Sequence, residues 1–100
     1  MNGDNSQDLE KKLAQKKKDI DTIIEVGKFY FLNQKFDEAI AEYKKAIALD
    51  SKCIDAYYNL GITLEALSDD DGARDAFAEV IELEPGNKGA QEHYDRLVEK

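Results

Sequence analysis

Shifted by 34 residues, the sequence lies back on itself without a gap, residues 20–53 over residues 54–87. Seven identities fall in register: Ile20/Ile54, Asp21/Asp55, Gly27/Gly61, Asp37/Asp71, Ala39/Ala73, Ile47/Ile81 and Leu49/Leu83. Val26/Leu60, Tyr43/Phe77 and Ala46/Val80 are similar in kind. A period in the range of about 20 to 50 residues marks stacked units, each too small to bury its own apolar face and covering its neighbour instead. The chain is therefore constrained to a short linear array in which the matching positions, mostly apolar or small, form the contacts between units.

The elements inside each unit are helical. Proline occurs once, at Pro85, while Ala, Leu, Glu and Lys are abundant, a composition that favours helix. The first helix is expected from about Asp21 to Asn33 and again from about Asp55 to Leu67. The second runs from about Asp37 to Leu49 and from about Asp71 to Leu83. The connections NQKF and SDDD are short, so consecutive helices lie antiparallel. Ser68 or Asp69 caps the helix that follows, Asp70 and Asp71 suit its positive end, and Pro85-Gly86-Asn87 stops the second unit. Residues 88–100 supply one more helix, Ala90 to Glu99, with Tyr94, Leu97 and Val98 inward, which seals the last unit. Residues 1–19 form a charged leader, disordered over 1–7 and then partly helical, where Leu9, Leu13 and Ile20 offer a thin apolar stripe.

Gly27 and Gly61 stand mid-helix, where glycine costs about 1 kcal/mol. Their recurrence implies that each faces the second helix of its own unit, close enough that a side chain would force the backbones apart. Ala39 and Ala73 are the expected small residues opposite.

These residues resemble the tetratricopeptide repeat family, whose 34-residue helix-turn-helix carries a bulky aromatic, Leu-Gly and a large residue in its first helix, then Ala, an aromatic, Ala and a closing Pro. The second unit supplies Tyr57, Leu60, Gly61, Leu64, Ala73, Phe77, Val80 and Pro85, and the first supplies Ile23, Val26, Gly27, Tyr30, Ala39, Tyr43, Ala46 and Ser51. Ile23, Val80, Ser51 and Asp70 depart from the pattern, which touches local packing and leaves the fold expectation intact. The resemblance covers about residues 20–98. It implies an all-α solenoid, a right-handed superhelical array of antiparallel helix pairs, acting as a non-enzymatic protein-protein interaction module.

Charge and composition narrow the partner. Residues 20–100 hold nine basic and eighteen acidic groups, net −9, which repels phosphate backbones and anionic lipid. Nucleic acid and membrane are not expected partners, and no run approaches the roughly 20 apolar residues of a membrane span. One cysteine, Cys53, forms no internal disulfide and suits a reducing, cytoplasmic setting. Cys53 reads as a small filler, His93 as an exposed helical residue, Asp69-Asp70-Asp71 as capping rather than a calcium loop, and Lys11 to Lys18 as a solvated leader. No catalytic constellation, metal or cofactor site is expected.

In stacked helix pairs the first helices line a concave groove. The candidate partner-binding residues there are Ile24, Lys28, Phe31, Tyr58, Asn59, Ile62, Glu65 and Arg96, an apolar strip edged by charge. The expected occupant is a protein or peptide segment with apolar side chains and basic flanks. Some family members hold a chaperone's C-terminal carboxylate with Lys and Asn side chains; the matching positions here are Ile24, Lys28, Asn59, Gly89 and His93, of which only Asn59 agrees, so that ligand is disfavoured. The alternative is a self-associating scaffold, a homo-oligomer stacked through the ends of the repeats.

Overall fold

Residues 5–100 are described by a computed structural model. Five helices follow in order: α1 (Asn5–Leu32), α2 (Phe36–Leu49), α3 (Ile54–Ala66), α4 (Asp70–Leu83) and α5 (Lys88–Val98), with no strand among the described residues. α1 pairs with α2 and α3 with α4 as hairpins, α3 packs on α2, and α5 packs on α4. The all-α expectation is met.

The largest difference from the sequence reading is the start of α1, which begins at Asn5 instead of about Asp21. No Gly or Pro interrupts residues 5–26, and Lys, Glu, Gln, Ala and Leu dominate the early turns, so nothing in the leader breaks the helix once the packed half nucleates it. Gln15 Nε2 donates to Asp19 Oδ1 at 2.9 Å across one turn of this stretch. At 1.5 Å per residue, α1 spans roughly 42 Å against roughly 21 Å for α2, and its N-terminal half overhangs the array, whose longest dimension is 60 Å. Of the segment expected to be disordered, residues 1–4 lie outside the described residues, and residues 5–7 are helical.

Both first helices stop in the same way. Gln34 and Ser68, again 34 positions apart, take left-handed φ angles of 60° and 62°. Lys35 N–H then donates to Tyr30 O and Asp69 N–H to Leu64 O, each at 2.9 Å, capturing carbonyls that a helix end leaves bare. Asp69 is the cap of α4, its side chain accepting from Gly72 N–H at 3.0 Å. Asn87 caps α5 through Ala90 N–H at 2.9 Å.

The two glycines nest aromatic rings. A methyl group at Gly27 would lie 2.5 Å from Tyr43 Cε1, and one at Gly61 would lie 2.8 Å from Phe77 Cζ. Tyr43 and Phe77 are buried, at 1% and 0% exposure. The group opposite each glycine is thus the aromatic at the twenty-fourth position of the unit, Tyr43 or Phe77, and not the alanine expected: Ala39 and Ala73 are fully buried, but the missing Cβ makes room for a ring. Around each ring gathers one core. The first joins Ile20, Ile24, Ala39, Tyr43, Ala46, Ala56, Leu60 and Ala76, and the second joins Ala73, Phe77, Val80, Ala90 and Leu97. Of the other residues expected to pack the repeat, Tyr30, Tyr57 and Leu64 are half-buried; Pro85 is exposed and serves only to end α4. Where the first unit closes on Ser51 rather than Pro, Tyr57 Oη donates to Ser51 O at 3.0 Å and ties α3 to the preceding turn.

Two outcomes follow for stability. Gly61→Ala, which on a free helix would gain about 1 kcal/mol, is expected instead to destabilise the fold by about 1 to 2 kcal/mol because the Phe77 ring has to move, as read from urea unfolding. Burial, with help from Glu25, pushes the Tyr43 phenol up from 10.0 to about 12. The unfolded chain gives up that proton near pH 10 while the folded chain keeps it, so the contribution is complete below pH 10 and is lost as pH rises toward 12. A loss of about 2 to 3 kcal/mol across that window is expected in the wild type and should be largely absent in Tyr43→Phe.

Candidate functional site

The first helices of successive units, α1, α3 and α5, present residues of like register side by side. Lys28, Ile62 and Arg96 form one row, each 34 positions from the next; Ile24, Tyr58 and Glu92 form a second; Leu32 and Ala66 begin a third, which α5 ends too early to extend. α1 touches α3, and α3 meets α5 where Glu65 Oε2 accepts from Arg96 at 3.2 Å.

The structure treats the expected groove residues unequally. Ile24 is only 4% exposed and belongs to the first core with Tyr43 of α2 and Leu60 of α3, which corrects its placement in the groove: the buried stripe of α1 is wider than a single line of contacts. Lys28 is exposed and lies 3.4 Å from Glu25 on its own helix. Phe31 is half-buried, its ring edge-on to Phe36 at 5.3 Å between centroids. Asn59 is half-buried and donates to Asp55 O at 2.8 Å, so its amide is turned back along α3. Tyr58 and Ile62 are half-buried against the second core. Leu32, at the rim, is 80% exposed.

Sequence reasoning missed the role of His93. Expected to face solvent, it stacks on Phe77 with centroids 4.6 Å apart and planes 6° from parallel. Tyr58 meets both rings edge-on, at 5.5 Å from Phe77 and 6.0 Å from His93. His93 Nδ1 is 2.9 Å from Glu65 Oε1 and 2.7 Å from the Arg96 guanidinium. One ring nitrogen either donates to the carboxylate or accepts from the guanidinium, so the tautomer selects which contact is a bond. The available signal was register: His93 falls 34 positions after Asn59, on the flank of the same face and not on the outside of its helix. Gly89, too, has a reason, since a methyl group there would lie 2.6 Å from Tyr58 Oη. The tyrosine hydroxyl occupies the space beside Gly89 where a longer side chain would have to lie.

The remaining reactive groups are tied to structure. Burial raises the Cys53 thiol, the Ala56 backbone N–H lowers it in part, and Asp50, Asp55 and Asp21 raise it again, so at neutral pH it is a protonated, half-buried filler. Cys53 and Asp50 line one wall of a 490 Å³ recess whose other wall is Leu13, Lys16 and Lys17 of the α1 overhang. In the acidic run, Asp69 caps α4, Asp70 lies 3.3 Å from Lys100, and Asp71 lies 3.4 Å from Arg74. Among the described residues no group of three or more His, Cys, Asp or Glu is placed to hold a metal ion, and no helix is long and apolar enough to cross a membrane. Removing the Glu65 carboxylate (Glu65→Ala) takes the shared carboxylate from both His93 and Arg96 and leaves them only each other. It is expected to cost about 1 kcal/mol in urea unfolding, against less than about 0.5 kcal/mol for Arg96→Ala, whose head is already wet.

Two family models match this chain: one for the TPR repeat over residues 27–68, and one for the tetratricopeptide repeat over residues 54–87. A chloroplast tetratricopeptide repeat domain-containing protein of Arabidopsis thaliana, PYG7, is 32% identical over 75 residues, which are 75% of this chain and 25% of that protein. The chain thus spans about a quarter of the length of the curated relative it matches. The crystal structure of MamA superposes with a TM-score of 0.78 at 28% identity, covering 80% of this chain and 47% of that one. The first TPR of Spaghetti (RPAP3), solved bound to an HSP90 peptide, superposes at 0.53 with 24% identity, covering 80% of this chain and 90% of that one.

Proposed function

The chain belongs to the tetratricopeptide repeat family and is a protein-interaction module, and from that premise we propose that it holds a partner segment along the face built by α1, α3 and α5. The observation that carries this reading is the mixed state of that face. Phe31, Tyr58 and Ile62 are packed at their bases yet remain half-exposed, and Leu32 stands open at the rim. Apolar groups left partly wet beside charged ones form a surface that gains by being covered.

The charges on the same face choose the occupant. Asp21, Asp55, Glu92 and Glu99 are exposed along it, and the Arg96 head is drawn to Glu65. A segment with one or two apolar anchors and basic flanks fits that field, and an acidic tail does not. RPAP3 binds its HSP90 peptide with a domain of the same fold, but here Tyr58 fills the space beside Gly89 and Ile24 is withdrawn into the core.

Peptides selected from a random display library against the whole chain test the reading. Selected binders are expected to be apolar with Lys or Arg flanks. Leu32→Ser combined with Glu92→Lys is expected to weaken them at least about tenfold, or about 1.4 kcal/mol, by calorimetry. Glu82→Lys, on the exposed side of α4, should leave affinity unchanged; the reverse pattern would place the site on the second helices. Tyr58→Ala is a poorer probe because Tyr58 also supports Phe77.

A further inference from the structure

We propose that His93 is a proton-operated latch on the partner face: neutral, it holds Arg96 in place, and protonated, it takes Glu65 for itself and frees Arg96 to oppose a basic segment. This role rests on the reading of α1, α3 and α5 as the partner face and concerns the regulation of that face. A conflict at one atom points to it. His93 Nδ1 lies 2.9 Å from Glu65 Oε1 and 2.7 Å from Arg96 Nη2. A carboxylate oxygen accepts and a guanidinium only donates, so one ring nitrogen satisfies one of these neighbours and opposes the other.

Charge on the ring decides which. Without a proton, Nδ1 accepts from Arg96 Nη2, which also donates to Glu65 Oε2 at 3.2 Å, so the guanidinium bridges ring and carboxylate where α5 meets α3. With both ring nitrogens protonated, Nδ1 donates to Glu65, and a second cation then stands 2.7 Å from the guanidinium. Arg96 is the group free to move, since its side chain is 55% exposed against 21% for His93 and Glu65. The ring stays where it is. It lies flat on Phe77 with centroids 4.6 Å apart, a position in which a protonated imidazole gains from the aromatic face.

The charged and titratable groups facing the ring are few. α3 presents the Glu65 carboxylate and the Tyr58 phenol, α4 presents the uncharged Phe77 ring, and α5 presents Arg96 one turn on, with Glu92 exposed beside His93 in sequence. Lys100 and Asp70 pair with each other at 3.3 Å. Histidine is the side chain that ordinarily changes charge between about pH 5 and 8, so the latch works in that range. Acid adds the charge of the ring and unpins the guanidinium, and both act against a segment with basic flanks. By linkage, a bound segment of that kind opposes protonation of His93 to the same extent.

Binders selected against the whole chain and made without histidine test this by calorimetry at about pH 8 and about pH 5.5. Affinity is expected to fall at least about fivefold at the lower pH. His93→Asn, whose Oδ1 stands where Nδ1 does and takes no proton, should remove most of that fall with circular dichroism unchanged. In the free chain, nitrogen NMR should show Nδ1 bare and Nε2 protonated at the higher pH, and the Arg96 guanidinium signals should move with the same midpoint as the His93 ring. Equal affinity at both pH values, an Nδ1–H tautomer at the higher pH, or Arg96 signals indifferent to the ring's titration would overturn the latch and leave the face reading standing. A chain that selects no binder although the two titrations coincide would remove the face reading, and with it this role for His93.

Discussion

Each hairpin is organised by one contact, an aromatic ring from the second helix set into the space left by a glycine in the first. The contact is repeated, with Tyr43 against Gly27 and Phe77 against Gly61. It resolves a local conflict between propensity and packing. Glycine weakens a helix by about 1 kcal/mol, but a wholly buried aromatic side chain contributes about 2 to 3 kcal/mol by area, and the ring reaches that burial only if the facing helix lacks a Cβ. The alanines follow from the same geometry. Ala39, Ala46, Ala73 and Ala90 are all fully buried, and each lets a backbone approach where a larger residue would hold it off. Because each ring anchors its own cluster, the molecule has two cores in series, as expected of a quasi-one-dimensional array.

Much of this was legible in the sequence, and the reasons are particular. A gapless period is robust, since chance similarity does not keep Gly, Ala and Asp in register over 34 positions. That the glycines face the partner helix followed from the cost of leaving them mid-helix. What opposes them did not follow: alanine and ring both lie on the inner face of the second helix, and only the three-dimensional offset of the two helices decides which meets the missing Cβ. The extent of α1 was hidden for a related reason. Polar, lysine-rich residues read as solvated leader, yet their helix propensity is high, and a helix already held by packing at Ile20 and Ile24 propagates outward through them.

The candidate face was legible in outline and misread in detail. Register alone put Ile24, Tyr58 and Ile62 on one surface, but it cannot weigh how much of that surface the neighbouring helices consume. Ile24 is consumed entirely, Tyr58 in part through its contacts with Phe77 and His93, and Leu32 hardly at all. The histidine shows the limit most clearly. Its stack on Phe77 joins α5 to the second core, so the last helix both seals the array and completes the proposed partner-binding face. Seal and site are the same elements seen from two sides. The two ends of the array therefore differ: the Gln91–Asp95 hydrogen bond lies on α5 at one, and Val26 and Phe29 are exposed on α1 at the other.

The account stands on the ring-in-glycine contact being a true energetic coupling and not an incidental adjacency. A double-mutant cycle by urea denaturation, combining Gly61→Ala with Phe77→Leu, measures it most directly. Because the smaller leucine frees the space that the added methyl needs, the double mutant should be more stable than the sum of the single effects predicts, by about 1 kcal/mol or more. Strict additivity of the two substitutions would contradict the account and leave the recurrence of glycine at positions 27 and 61 without a cause.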